Sequence, residues 1–422
     1  MTDQFPVRDG IRHCERVALP AIAAAVGTPV YVYSLAAMRG QARALREALG
    51  PLGNPLIGFA VKANPNLAVL TALAAEGMGA DVVSGGEYAR ARAAGIAPER
   101  IVFSGVGKIA AEMRQALAGG LAQFNLESLP EAELLSEVAV SMGVTAPVAW
   151  RINPDVEAGS HAKISTGAAH NKFGIPIGDA PAACAKVRDL PGLELNGLAV
   201  HIGSQLTSLA PLETAFGRLG EMIARLRAEG HTISTADLGG GLGLHYDPSL
   251  PPPPSIADYG AMVARATQGW NVRLIFEPGR LIIGDAGVLL SEVIRVKESG
   301  EARFVILDAG MNDLLRPSLY DAWHAIEPVT PDGETMVADV VGPVCETGDT
   351  FAFGRDMGRV GAGDLAIIRT AGAYAATMAG TYNSRPLAPE VLVDGDRWAV
   401  IRPRRDLQSY LAEEPVPDWL SR

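Results

Sequence analysis

The sequence predicts an α/β protein in which a (β/α)8 barrel is followed by a β-rich domain. From residue 56 onward, eight short runs of β-branched and aromatic residues alternate with alanine-rich stretches of helical spacing. Alternating β and α units form parallel sheets with right-handed crossovers, and eight such units close a TIM-like barrel. After Pro278 the long helical stretches stop and β-type runs follow one another, which indicates the second domain.

The barrel strands are expected to be short and buried on both faces. They are residues 56–62, 80–84, 101–104, 122–127, 147–152, 197–202, 235–238 and 272–277. The helices between them are residues 67–77, 86–95, 110–119, 128–143, 179–190, 210–230 and 256–269, and several end on glycine, a common residue after a helix end. The eighth helix is residues 34–49, with Ser34 as its N-cap. An open, doubly wound sheet is the alternative that the periodicity leaves open.

The C-terminal β-rich domain, of β-sandwich or barrel-like type, is expected to contain strands 287–297, 303–308, 335–341 and 364–369, and a hairpin of 390–393 with 398–402. Asp394-Gly395 is the turn of this hairpin. Because chain ends often meet, we expect residues 30–33 to pair with this domain. The predicted division is a barrel of residues 35–280 and a β-rich domain of residues 1–34 and 281–422.

The composition disfavours several classes of protein. The formal net charge is 36 − 47 = −11, without the clustered lysines and arginines that a nucleic-acid or anionic-membrane surface requires. The cysteines, Cys14, Cys184 and Cys345, are odd in number and lack metal-type spacing. We therefore expect no disulfide framework, no metal site and a reducing, cytoplasmic location. We also expect no signal peptide and no membrane span, since prolines and a glycine interrupt residues 17–33.

Polar residues gather where the predicted barrel strands end. In a (β/α)8 barrel these carboxyl ends face one mouth, where active sites lie. In chain order the residues are Lys62, Asp81, Ser84, Ser104, Gly105, Asn125, Arg151, Asn153, His201, Gly203, Ser204, residues 239–243, Glu277, Gly279 and Arg280. We therefore expect a binding site at this mouth.

Lys62 lies at the end of the first barrel strand, in the stretch LIGFAVKANPN of residues 56–66. Partial burial disfavours an ammonium group, and the neutral amine is the form that condenses with an aldehyde. The alternative is a lysine whose flexible stem carries its charge out to solvent.

Residues at three more strand ends indicate which kind of ligand the site binds. Residues 239–243, GGGLG, let backbone amides approach an anion at the usual phosphate position of such barrels, although a flexible turn is the alternative. Glu277 can keep a pyridine nitrogen protonated, or can form an ion pair with Arg280. His201 is either a core histidine or a flat ring that stacks on a cofactor. An amine, a phosphate cradle and a carboxylate for a pyridinium together indicate pyridoxal phosphate.

Six motifs, in order, resemble those of the diaminopimelate decarboxylases, which are alanine-racemase-like pyridoxal enzymes of fold type III. They are FAVKAN (59–64), HIGSQ (201–205), GGGLG (239–243), EPGR (277–280), GPVCETGD (342–349) and AGAY (371–374). The likeness covers nearly the whole chain and extends to residues 151–167, 171–174 and 316–324. Phe59 departs from the tyrosine of many relatives, and we expect little effect from it.

This resemblance implies decarboxylation of meso-2,6-diaminopimelate to L-lysine and CO2, the last step of lysine biosynthesis, with pyridoxal phosphate as cofactor. The implied catalytic residues are Lys62, which bonds to the cofactor, His201, Glu277 and the proton donor Cys345. The implied cofactor-binding residues are Lys62, Asp81, His201, Ser204, Gly240, Gly241, Gly243, Glu277, Gly279, Arg280 and Tyr374. The implied substrate-binding residues are Arg280, Arg316, Tyr320, Glu346 and Tyr374. A homodimer is also implied, in which Cys345 and Glu346 reach into the partner's barrel.

Two alternative functions are decarboxylation of another amino acid, such as ornithine or a carrier-linked substrate, and non-catalytic binding by the same scaffold. The ornithine branch resembles Cys-Asp where this chain has Cys345-Glu346, and a non-catalytic relative would lose the residues that this chain keeps. A racemase is disfavoured because the second domain offers a cysteine where a tyrosine base is needed. On the loop of residues 153–178, the side chains of His161, Lys163, His170 and Lys172 form either a lid or a solvated surface.

Overall fold

The computed structural model describes residues 3–157 and 172–420. The chain divides into two compact units, one formed by Met38–Gly284 and the other by Met1–Ala37 together with Asp285–Arg422. Of the residues considered for a lid, His161, Lys163 and His170 lie outside the described residues, whereas Lys172 is described.

The secondary structure follows the alternating pattern through the middle of the chain and becomes strand-rich after it. The strands are β1 (Val7–Arg8), β2 (Ile11–Cys14), β3 (Val17–Ala18), β4 (Val30–Ser34), β5 (Leu56–Ala60), β6 (Gly79–Val82), β7 (Ile101–Phe103), β8 (Gln123–Leu126), β9 (Ala146–Asn153), β10 (Ile175–Pro176), β11 (Leu193–Val200), β12 (Thr235–Asp237), β13 (Arg273–Phe276), β14 (Gly287–Ser299), β15 (Ala302–Leu307), β16 (Ile326–Pro328), β17 (Thr335–Val341), β18 (Thr350–Gly358), β19 (Leu365–Ile368), β20 (Glu390–Asp394) and β21 (Arg397–Arg402). The helices are α1 (Leu19–Val26), α2 (Leu35–Leu49), α3 (Leu67–Ala75), α4 (Gly85–Ala93), α5 (Ala110–Gly119), α6 (Leu129–Met142), α7 (Ala180–Arg188), α8 (Ala210–Ala228), α9 (Ile256–Ala266), α10 (Arg280–Ile283), α11 (Arg316–Tyr320) and α12 (Leu407–Leu411).

The unit Met38–Gly284 contains a closed barrel of eight parallel strands. Their hydrogen-bonded order is β9, β11, β12, β13, β5, β6, β7 and β8, and β8 pairs with β9 to complete the ring. The short β10 pairs with the last two residues of β9, Ile152 and Asn153. Strands such as β5 and β8 are buried at every position, which explains their continuous apolar pattern. The predicted barrel is confirmed, and the open-sheet alternative is wrong.

Helix starts coincide with side chains that can cap a helix. Backbone amides in the first turns of α3, α4, α6 and α9 donate to the side chains of Asn66, Ser84, Ser128 and Ser255. These bonds satisfy amides that have no partner inside the helix. The Ala37 amide likewise donates to Ser34 Oγ over 3.0 Å, which confirms the predicted N-cap of α2.

The second unit is built on a large sheet of order β18, β17, β15, β14, β4, β20 and β21, with β19 and β16 branching from β14. The N-terminal β4 lies between β14, to which it is antiparallel, and β20, to which it is parallel. The expected pairing of residues 30–33 with this domain is therefore confirmed. A buried apolar cluster that includes Val32, Val288, Ile367 and Val391 packs on this part of the sheet.

Five strands of this unit, β1, β2, β3, β16 and β18, are not predicted by the sequence. In β18, Phe353 is 78 % exposed and Gly354 has a φ of 50°, so the strand is irregular and its apolar residues do not alternate cleanly. Pairing with β17 holds β18 in place despite this pattern. Across the described residues, no helix is long and apolar enough to span a membrane.

Candidate active site

A cavity of about 370 Å³ opens at the carboxyl ends of the barrel strands. The predicted site residues Lys62, His201 and Glu277 all line it. The rest of its wall is formed by Val83, Ser104, Gly105, Val106, Gly107, Asn125, Arg151, Phe173, Ala199, Val200 and Asp237. The barrel thus brings together an amine, an imidazole and a carboxyl group that lie far apart along the chain, at residues 62, 201 and 277.

Lys62 lies in a 3-10 turn, Val61–Ala63, directly after β5, and not in the strand as predicted. Its Nζ donates to Asp81 Oδ2 over 2.6 Å. The Lys62 side chain is 38 % exposed, whereas Asp81 is fully buried. A neighbouring carboxylate favours the ammonium form, so the predicted neutral amine is not what this arrangement favours. Asp81 Oδ1 is also buried and has no hydrogen-bond partner among the described residues, which leaves an acceptor beside the amine.

His201 is held as a neutral ring. Its Nδ1 accepts a hydrogen bond from the Gly240 amide over 3.2 Å, so the proton of the neutral ring is on Nε2. Burial lowers the pKa of His201 well below its ordinary value, and the positive charges of Arg151 and Lys62 lower it further. A flat, uncharged ring at this position is suited to stacking on an aromatic ligand.

Glu277 and Asp237 form a hydrogen-bonded pair of carboxyl groups in the wall of the cavity. Asn125 Nδ2 donates to Asp237 Oδ2 over 2.8 Å, and Ser104 Oγ donates to Glu277 Oε1 over 3.1 Å. Burial raises the pKa of Glu277 well above its ordinary value, and the negative charges of Asp237 and Asp81 raise it further. Burial raises the pKa of Asp237 as well, so this hydrogen-bonded pair of carboxyl groups retains a proton between its two members.

The glycine loop of residues 239–243 follows β12 and contacts both neighbouring groups. The Gly239 amide donates to Asp237 Oδ1, the Gly240 amide to His201 and the Gly243 amide to the Leu206 carbonyl. Within the described parts of the chain, the amides of Gly241 and Leu242 have no such acceptor. These two amides are therefore the donors that the loop can offer to an anion.

Glycine is required in this loop by close packing. A Cβ on Gly240 would lie 2.3 Å from the Glu277 carbonyl oxygen, and one on Gly241 would lie 2.5 Å from the Gly203 carbonyl oxygen. Any side chain there would push the loop away from the ends of the neighbouring strands.

Arg280 begins α10 and is buried. Its Nη2 donates to Ser204 Oγ over 3.1 Å, and its Nη1 donates to Tyr246 Oη over 2.7 Å. The predicted site residues Ser204 and Arg280 are therefore brought together, and Gly279 precedes Arg280 at the start of the helix.

Sequence reasoning did not assign a role to Arg151 or Asp237, although both line the cavity. Arg151 Nη1 donates to Glu127 Oε1 over 2.8 Å, and its guanidinium lies 4.6 Å from the centre of the Phe173 ring. Arg151 ends a barrel strand, so its position was a usable signal. Asp237 lies inside an apolar strand next to the glycine loop, and its coupling to Glu277 depends on the barrel closing.

The other predicted residues lie in the β-rich unit, which is described here by itself. Arg316 is buried at the start of α11, and its Nη1 bonds to His324 Nε2 over 2.7 Å. Tyr320 ends the same helix, and Tyr374 has a left-handed backbone with a φ of 56°. Cys345 is a free, exposed thiol, followed directly by the exposed Glu346.

The residues at the barrel mouth fit pyridoxal phosphate. The Lys62 amine matches the cofactor's aldehyde, and the Asp81 oxygen beside it matches the phenol. The flat His201 ring matches the pyridine ring, and the buried Glu277 matches the ring nitrogen. The two unbonded amides of the glycine loop match the phosphate. The family model described as "Pyridoxal-dependent decarboxylase, pyridoxal binding domain" matches residues 35–284. A diaminopimelate decarboxylase of Zymomonas mobilis is 56 % identical over 99 % of this chain and 99 % of its own.

The chain belongs to the diaminopimelate decarboxylase family.

Solved structures of this family agree with the assignment. Diaminopimelate decarboxylase of M. jannaschii, in co-complex with L-lysine, has a TM-score of 0.95 and is 34 % identical, covering 99 % of each chain. The Helicobacter pylori enzyme, complexed with L-lysine, has a TM-score of 0.90 and is 40 % identical over 94 % of this chain and 100 % of its own. As a member of the diaminopimelate decarboxylase family, the protein is a pyridoxal-phosphate-dependent carboxy-lyase, so the predicted family, enzyme class and cofactor are confirmed.

Proposed function

We propose that this protein decarboxylates meso-2,6-diaminopimelate and releases L-lysine and CO2, the last step of lysine biosynthesis. The observation that carries this proposal is the mouth of the barrel, where Lys62, His201 and Glu277 line one cavity in a chain that is 56 % identical to a diaminopimelate decarboxylase over nearly its whole length. The L-lysine complexes of two solved relatives support the identity of the product.

The barrel residues bind and orient the cofactor. The Gly241 and Leu242 amides and Ser204 take the phosphate, and Arg280 holds Ser204 in position through its 3.1 Å bond. The neutral His201 ring, with its tautomer set by the Gly240 amide, would offer a flat surface for the cofactor ring. Asp81 holds the Lys62 amine, and Gly240 and Gly243 keep the strand ends close enough for these contacts.

When bound, pyridoxal phosphate supplies an aldehyde that captures an amine and an electron-poor ring that takes up the electron pair released as CO2 leaves. Lys62 would hold the cofactor through its amine, the group that can condense with an aldehyde. Glu277 would pair with the ring nitrogen, and the proton that Glu277 and Asp237 retain would keep that nitrogen protonated and the ring electron-poor. Cys345 returns a proton to the substrate's Cα after CO2 has left.

The substrate's far end carries an ammonium and a carboxylate, and the chain offers a partner for each. Arg280 and Arg316, with Tyr320, bind the carboxylate, because a guanidinium presents a fork of donors that matches it. Glu346 binds the ammonium, and Tyr374 closes over the cofactor phosphate. A simple diamine precursor lacks the far carboxylate and leaves the two arginines without a ligand, which disfavours ornithine.

The proposal includes a homodimer with shared active sites in the cytoplasm. Cys345 and Glu346 lie on an exposed loop of the β-rich unit and would serve the barrel of the partner subunit. If so, mixing Lys62→Ala with Cys345→Ala chains restores one complete site in each mixed dimer, and about a quarter of wild-type activity returns. Activity that stays at the level of the separate variants would contradict sharing.

The direct test of the function is CO2 release from a panel of amino acids, measured together with the visible absorbance of the bound cofactor. We expect turnover of meso-2,6-diaminopimelate and little turnover of ornithine, arginine or lysine. Lys62→Ala should lose both the absorbance and the turnover. A wild-type protein that binds the cofactor but releases CO2 from none of these substrates would favour the non-catalytic alternative.

A further inference from the structure

The loop that carries Cys345 and Glu346 is held by a second segment, the 3-10 turn Tyr382–Ser384. The Cys345 amide donates to Asn383 Oδ1 over 2.8 Å. The Tyr382 hydroxyl forms a hydrogen bond with the Glu346 carboxylate. Two consecutive residues of the turn therefore bond to two consecutive residues of the loop.

The backbone of this turn is strained, and it is fixed at both ends. Asn383 and Ser384 have left-handed φ angles of 56° and 55°, which few residues other than glycine adopt, although asparagine is among those that tolerate them. Before the turn, the Gly380 amide donates to the Asn312 carbonyl over 2.8 Å. After it, the Arg385 guanidinium donates to the Asp308 carbonyl. Strain that surrounding contacts maintain is typical of functional segments.

The loop itself is held from the other side by Asp349. This buried carboxylate accepts the amides of Met311 and Val344, each over 2.6 Å. A Cβ on Gly342 would come within 2.4 Å of the same carboxylate, so the two ends of the loop are closely packed. Asp349 thus sets the path of the backbone, while the turn contacts the exposed residues at the tip.

We propose that Tyr382 and Asn383 are positioning residues: Tyr382 orients the Glu346 carboxylate, and Asn383 orients the Cys345 backbone. By orienting Glu346, Tyr382 contributes to the selection of substrates with a second ammonium group. This inference rests on the proposed function. A hydroxyl that donates to one carboxylate oxygen limits rotation of the group and leaves the other oxygen for an ammonium. The hydrogen bond with Glu346, and then the negative charge of Glu346, raise the pKa of Tyr382, so the Tyr382 hydroxyl keeps the proton that it donates.

The test of Tyr382 compares two competitive inhibitors of the holoenzyme, L-lysine and 6-aminohexanoate, which lacks the second amine. Tyr382→Phe keeps the ring and removes only the hydroxyl. We expect the preference for L-lysine over 6-aminohexanoate to fall about fivefold, as expected for one ordinary hydrogen bond, while 6-aminohexanoate itself binds within twofold of its wild-type affinity. A purely structural role would weaken both inhibitors equally.

The test of Asn383 separates the role of its side-chain oxygen from the role of its left-handed backbone conformation. Asn383→Gly keeps the left-handed conformation and loses the acceptor, and we expect kcat to fall about tenfold with KM within twofold, because the proton donor is less well placed. Asn383→Asp restores an acceptor and should recover most of this loss. Asn271→Gly is the matched control, since Asn271 also has a left-handed φ, of 49°, and lies in the other unit.

The outcomes distinguish the inference from the function on which it rests. A wild-type protein that does not decarboxylate meso-2,6-diaminopimelate overturns the proposed function. Normal wild-type turnover with an unchanged inhibitor preference in Tyr382→Phe overturns the role of Tyr382. Equal losses in Asn383→Gly and Asn383→Asp, or in Asn271→Gly, overturn the role of Asn383.

Discussion

Replacing Gly240 by alanine should weaken cofactor binding more than the addition of one methyl group to any residue of the cavity wall. The added Cβ would lie 2.3 Å from the Glu277 carbonyl oxygen, and an ordinary contact is about 3.4 Å, so one of the two backbones must move by roughly 1.1 Å. Gly240 has no positive φ, so the effect is one of packing and not of backbone strain.

The magnitude follows from the contacts that this shift disturbs. The Glu277 amide donates to the Gly239 carbonyl over 2.7 Å, and the Gly240 amide donates to His201. Overpacking of roughly 1–3 kcal/mol and one weakened hydrogen bond of about 1 kcal/mol give a loss of roughly 2–4 kcal/mol in the free energy of unfolding. Since binding groups must be placed within about 0.5 Å, cofactor affinity should fall about 10- to 100-fold.

The assay has two parts. Urea unfolding of the cofactor-free protein measures the stability change, and titration with pyridoxal phosphate, followed by absorbance, measures the affinity. Gly217→Ala is the control, because Gly217 lies in α8 with open space around its Cβ position, and alanine there should raise helix stability by up to about 1 kcal/mol. If Gly240→Ala binds the cofactor as the wild type does, the close packing of the glycine loop does not set cofactor affinity.

Two predictions concern buried charges. Burial and the negative charge of Asp81 raise the pKa of Glu87 to about 7, so the folded protein keeps a proton that the unfolded chain loses near pH 4.3. The free energy of unfolding should therefore fall by roughly 2–3 kcal/mol as the pH rises from about 4.3 to about 7. In unfolding measured as a function of pH, Glu87→Gln should lose this pH dependence. The control Glu133→Gln, at an exposed position, should keep it. The fully buried Lys108 donates to Glu131 over 2.7 Å. Lys108→Met should lower the free energy of unfolding, measured in urea, by about 3–5 kcal/mol, and adding Glu131→Gln should recover at least half of that loss. An equal loss in the double variant would mean that the unpaired charge of Glu131 is not the cause.

Much of the barrel could be predicted because its signals are local. The eight predicted helices overlap α2 to α9 within a few residues at each end, since capping side chains and terminal glycines mark helix ends along the chain itself. The strands were recognisable because parallel strands buried on both faces require continuous apolar runs. In the β-rich unit, β18 escaped prediction because its register depends on β17 and not on its own pattern.

The candidate site likewise has features that the sequence predicts and features that depend on the tertiary structure. Lys62, His201 and Glu277 were predicted to lie at one mouth, and the cavity contains all three. The 3-10 turn around Lys62, its ion pair with Asp81 and the proton shared by Glu277 and Asp237 were not predictable. Each depends on the distance between side chains from different strands.

The sequence by itself determined the order of strands and helices, the residue types available at the strand ends and the family to which the chain belongs, because these depend on neighbours along the chain or on recognisable motifs. Tertiary structure alone decided which amides of the glycine loop are already bonded, which carboxyl groups share a proton and which turn holds the Cys345 loop. These properties depend on distances of a few ångströms between residues far apart in the chain, and electrostatic and hydrogen-bonding energies change steeply over such distances.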